Sequence, residues 1–121
     1  MERAIVIVDH GSREPAANGI VAEIARLVQR RAAQTAVVCS AHMELAEPSL
    51  PRAIDNCVSA GALEVIVQPL FLAPGRHASR DIPEIVAEAR QRHPHVSFCL
   101  GDVIGADPVL VDLISRRCGL S

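Results

Sequence analysis

The chain has no tryptophan, no tyrosine and no lysine, and Phe71 and Phe98 are its only phenylalanines. Single-stranded nucleic acid is held on aromatic faces where bases stack, so two phenylalanines exclude a platform of that kind. A formal net charge of −2 removes any general attraction to nucleic acid or to an anionic membrane. No apolar run approaches the roughly 20 residues of a membrane span, so no membrane partner is expected. The sequence enters a strand-like run at once, without a basic stretch, apolar leader core or small-residue cleavage pattern, and a cytoplasmic location is the expectation. Four cysteines stand far apart with no CxxC pair, a pattern that supports neither a structural zinc nor an iron–sulfur cluster. Cys39, Cys57 and Cys99 fall inside apolar patterns and are expected to be buried as small hydrophobes.

What the chain does have is a hydrophobic half, enough for the core of one domain spanning residues 1–121. Strand and helix alternate four times. Ala4 to Val8 is a short, continuous, β-branched run, typical of a strand covered on both faces. After His10–Gly11–Ser12, Pro15 suits a first helical turn, and Ile20, Val21, Ile24, Leu27 and Val28 recur at helical spacing. Ala36 to Ser40 reads as a second strand. Ser49 and Pro51 then open a helix whose stripe is Leu50, Ala53, Ile54, Cys57 and Val58, stopped by Gly61. Glu64 to Leu70 is the third strand. Asp81 and Glu84, with Pro83 between them, are spaced like a capping box ahead of a third helix. Val96 to Leu100 is the fourth strand, and Asp107–Pro108 opens a last helix. Such alternation gives an α/β fold: a four-stranded parallel sheet with helices on both faces, doubly wound and flavodoxin-like.

Ligands of such sheets bind beyond the carboxyl ends of the strands. Of the five histidines, His10, His42 and His77 fall after the first, second and third strands, on that edge. Neutral imidazole is the commonest ligand of divalent transition metals. His10 and His77, on loops after neighbouring strands, are candidates for a loosely held ion, although for His10 alone a loop-capping role carries equal weight. His42 follows its strand so closely that packing beneath the loop is the slightly favoured reading. Glu44, at the same edge, is either a proton acceptor or a solvated loop charge. Arg13, Arg76 and Arg80 border this edge. All twelve basic residues being arginine reads first as a coding bias, and second as a means of gripping carboxylates bidentately.

Three stretches carry a family resemblance. Asp9–His10–Gly11–Ser12–Arg13, the run AHMELAEPSL from Ala41 to Leu50, and PLFLAPGRH from Pro69 to His77 followed by Asp81–Ile82–Pro83 resemble the sirohydrochlorin chelatases. These are the class II chelatases, comprising short CbiX-type cobaltochelatases and SirB-type ferrochelatases. The resemblance covers nearly the whole chain. It implies metal-binding histidines at His10 and His77, a catalytic acidic residue at Glu44, and insertion of Co²⁺ or Fe²⁺ into sirohydrochlorin, with the metal as substrate and no tightly bound cofactor. It also implies a homodimer, because short members resemble half of a two-lobed chelatase. Under that reading, Arg13, Arg76 and Arg80 hold the carboxylates of the tetrapyrrole, with His42, Met43 and Leu45 also lining its site. DHGS with HMELAEPS is closer to the plant ferrochelatase branch. The cysteine motif tied to an iron–sulfur cluster in that branch does not occur here, so iron and cobalt both stay open.

Two rival classes share parts of this pattern. A histidine phosphatase has Arg before its strand-one His-Gly, whereas Asp9 here would repel phosphate. A non-catalytic carrier of metal or tetrapyrrole needs the same ligands, and only turnover separates it from a chelatase.

Overall fold

The computed structural model describes residues 2–73 and 75–120, except for the side chains of residues 76–78. Four strands, β1 (Arg3–Asp9), β2 (Val37–His42), β3 (Glu64–Pro69) and β4 (Ser97–Leu100), alternate with four helices, α1 (Pro15–Ala32), α2 (Leu50–Ser59), α3 (Gly75–Arg92) and α4 (Pro108–Arg117). All strand pairs are parallel and the order is β2-β1-β3-β4, the flavodoxin-like arrangement expected from the alternation.

Register divides the sheet into two faces. Ala4, Val6, Val8, Val65, Val67 and Phe98 point to one side, where α2 and α3 cover them with Leu50, Ala53, Ile54, Ile82, Val86 and Ala89. Leu50 and Ile54 are fully buried, and each contributes about 1.5–3 kcal/mol relative to an exposed position. The other face is smaller: Ile7 packs against Val21 and Ala25 of α1, with Ile5, Ile24, Val28, Val38 and Leu70 around them. Gln29 ties the end of α1 to the sheet, donating to the Ala36 carbonyl and accepting from the Val38 N–H at 2.7 Å.

Ser49 and Asp107 cap α2 and α4 as the sequence predicts, accepting from the N–H groups of Arg52 and Val109. Four expectations are corrected. Helix α3 begins at Gly75, not at the Asp81–Glu84 box, so Pro83 lies inside it and Arg76, His77 and Arg80 stand on a helix and not on a loop. The polar run Gly75–Asp81 has no apolar stripe, which hid that turn. Strand β2 extends through His42, which therefore belongs to the sheet. Ile20 and Leu27 are exposed, because α1 presses on the sheet through Val21, Ile24, Ala25 and Val28. Cys99 is exposed as well: it shares a face with Ile66 across the β3–β4 pairing, and α1 does not reach that far.

Among the described residues, α4 packs against no other helix or strand and buries none of its side chains. Val109, Val111 and Ile114 are more than half exposed. The segment before α4 is held, since Ile104 and Gly105 donate to the carbonyls of Phe71 and Leu72.

Candidate functional site

The carboxyl ends of β1 and β2 are joined into one unit. His42 is 4% exposed, and its Nδ1 lies 2.6 Å from Asp9 Oδ1, across a register pair at the ends of the two strands. Beyond the strands the pairing continues: the Met43 N–H donates to the Asp9 carbonyl at 2.9 Å, and the Glu44 N–H donates to the His10 carbonyl at 3.1 Å. Gly11 makes this approach possible. Its φ is +89°, and a Cβ there would lie 1.8 Å from the Glu44 carbonyl oxygen. On the other side, Asn18 of α1 closes the loop, its Oδ1 accepting from the Ser12 N–H and its Nδ2 donating to the Ser12 carbonyl.

His10 projects from this braced loop and is exposed, with its ring resting on a neighbour. It stacks on Phe71 with centroids 4.1 Å apart and planes inclined by 26°. Phe71 itself is buried, and its ring is the surface on which the histidine rests. Phe71 also lines a cavity of about 410 Å³ between the ends of β3 and β4 and the start of α3, along with Ser79, Ile82, Pro83, Leu100 and Asp102. Gln68 shapes this edge by donating to the carbonyls of Pro69 and Asp102, and its Oε1 lies too close to admit a Cβ on Gly101.

Of the remaining candidates, Glu44, Arg13 and Arg80 are exposed, and Met43 is half-buried against the core. Leu45 combines 55% exposure with a left-handed backbone at φ +68°, a conformation that a branched side chain adopts at a cost. The side chains of Arg76 and His77 lie outside the described residues; their backbone forms the first turn of α3. Among the described residues, no group of three or more histidine, cysteine or acidic side chains is poised to hold a metal. The structure thus brings His10 and the Glu44 loop together. It places His42 beneath that loop as Asp9's partner, not as an open contact surface. Sequence reasoning passed over Asp9, Asn18 and Phe71 as supports. For Asp9 the parallel register of β1 and β2 was the available signal; a stacking contact across loops leaves none.

The CbiX family profile matches residues 4–119. The chain belongs to the CbiX family. One CbiX relative is the chloroplastic sirohydrochlorin ferrochelatase of Arabidopsis thaliana, 39% identical over 113 residues that cover 93% of this chain and 50% of the plant protein. The sirohydrochlorin cobaltochelatase of Methanocaldococcus jannaschii is 37% identical over 138 residues, covering 94% of this chain and 96% of that protein. The crystal structure of the sirohydrochlorin chelatase SirB from Bacillus subtilis subspecies spizizenii, in complex with cobalt, superposes with a TM-score of 0.81 at 32% identity. It shares 98% of this chain but 50% of SirB. The chain therefore spans about half the length of several relatives and nearly all of the archaeal one.

Proposed function

We propose that this protein inserts a divalent metal ion, Co²⁺ or Fe²⁺, into sirohydrochlorin, as its CbiX-family relatives are named for doing. The observation that carries the reading is His10: an exposed imidazole, aimed by a buried ring and by a loop that leaves no room for a side chain at position 11. Exposure lets a hydrated ion arrive and leave, and fixed aim keeps the ligand from following it.

In this mechanism His10 and His77 hold the incoming ion, replacing part of its water shell while leaving positions for pyrrole nitrogens. As the metal–nitrogen bonds form, two pyrrole N–H protons leave, and the exposed Glu44 carboxylate accepts and passes them to solvent. Arg13, Arg76 and Arg80 grip the substrate's carboxylates. Met43 and Leu45 supply apolar contact to the macrocycle, which suits a site whose one nearby aromatic face is already taken. Asp9 and His42 act beneath the surface as positioning residues, fixing the ends of β1 and β2. No tightly bound cofactor is needed, and the reaction is assigned to the cytoplasm.

The working unit in this proposal is a homodimer. Several relatives are about twice this length, so a second copy supplies the place of their other half. The unpacked apolar residues of α4 and the uncovered Ile66–Cys99 side of the sheet are the surfaces it would cover.

The test is the change in sirohydrochlorin absorbance on adding Co²⁺ or Fe²⁺. Many metallated products per chain are expected, with His10→Ala falling to the uncatalysed rate while keeping its fold. One product per site or fewer would make the protein a carrier and overturn the enzymatic reading.

A further inference from the structure

Away from that site, β2 and α2 face each other through two thiols. Cys39 and Cys57 lie with their sulfurs 3.6 Å apart, and both are free. Cys39 sits on the edge strand of the sheet, and Cys57 near the end of α2 is 8% exposed. They line a separate apolar cavity of about 210 Å³ with Val37, Pro48, Ala53 and Ala60. That volume is several times the ~30 Å³ share of a water molecule, so a small hydroperoxide can enter it.

We infer that Cys39 and Cys57 form a redox-active dithiol, which a small hydroperoxide such as hydrogen peroxide closes into a disulfide linking β2 to α2. The sulfurs must approach from 3.6 Å to a bond of roughly 2 Å, a shift within reach of side-chain rotation. The two thiols share a hydrogen bond in which either sulfur can donate, and the sulfur that accepts is the one better placed to lose its proton. As a thiolate it attacks one peroxide oxygen, the O–O bond breaks, and the departing hydroxide takes a proton to leave as water. The second sulfur then attacks the sulfenic sulfur of the first and expels a second hydroxide, which leaves as water with the second thiol's proton. Two thiols lose two electrons and the peroxide gains them.

The crosslink encloses the segment that carries His42, Glu44 and the Pro48 turn. Since the sulfurs already face each other, closure restrains that segment in the conformation it has. The oxidised chain should therefore be the more heat-resistant form.

Arg52 lies between the two cysteines in sequence, so trypsin separates them unless a disulfide holds the peptides together. The experiment uses the chain with Cys99→Ser and Cys118→Ser, both at exposed positions, so that only this pair remains. After hydrogen peroxide treatment, mass spectrometry without reductant should find residues 32–52 joined to the peptide beginning at Ala53. Both free thiols should be lost, reductant should restore them, and the oxidised chain should melt at a higher temperature. In the untreated folded protein, phenylarsine oxide, which bridges two neighbouring thiols, should protect both from alkylation with one arsenical per chain. Retention of both thiols, oxidation of one alone, a crosslink between two chains, or arsenical binding only after unfolding would overturn the assignment.

Discussion

Gly11 is where backbone geometry and proposed chemistry meet most tightly. A methyl group there meets the Glu44 carbonyl at 1.8 Å and also has to hold φ at +89°, so either the His10 loop or the Glu44 loop must move. Gly61 provides the contrast: its φ is +106°, but among the described residues nothing lies within 4 Å of an added Cβ. Gly61→Ala should therefore cost only the backbone term, about 1–2 kcal/mol. Gly11→Ala should cost more than about 2 kcal/mol and lose metal insertion even at temperatures where it is folded. Thermal melts beside insertion rates check this. Equal stability and retained activity in Gly11→Ala would mean that the two loops need not meet. At this scale the sequence made the placement of His10, Glu44 and Arg13 after strands legible, whereas Arg76 and Arg80 stand on α3. Phe71 was read as a scarce aromatic and as part of the Pro69–His77 stretch, not as a partner of His10, because stacking between distant loops depends on how β1 and β3 lie side by side.

Among the elements, the strands were the most legible, for their β-branched runs are interrupted by turn residues and need no distant information. Helix ends were legible where a side chain caps them, as at Ser49 and Asp107. The start of α3 was not: Asp81, Pro83 and Glu84 carry a start signal that the protein does not use, and six polar-rich residues ahead of it are helical. The last helix shows the opposite gap. Val109, Leu110, Leu113 and Ile114 have the spacing of a packed stripe, yet α4 touches no other element among the described residues. A periodic pattern reports that a face will be covered, not by which chain. Under the proposed dimer, Val109→Asp with Ile114→Asp should turn a sedimenting dimer into a monomer without changing helical content by circular dichroism. A wild-type chain that sediments as a monomer at micromolar concentration would sink the dimer reading.

At the scale of the whole molecule, the doubly wound sheet brings the ends of β1, β2 and β3 to one edge, and the proposed function depends on that convergence. Sequence alone placed His10, Glu44 and His77 at this edge through the strand-helix alternation, and the observed order β2-β1-β3-β4 makes β1, which leads into His10, the neighbour of both other strands. The proposed reaction rests on family membership, and in that proposal the braced His10 loop is the means of holding an ion that must be given up. The central claim is that His10 and His77 together bind the exchangeable metal. X-ray absorption of Co²⁺ bound to the wild-type chain, to His10→Ala and to His77→Ala tests it most directly. The expected result is two imidazole ligands in the wild type and one in each variant, with affinity weakened by more than the roughly tenfold loss that even outer-sphere changes cause. Unchanged coordination and affinity in both variants would contradict it.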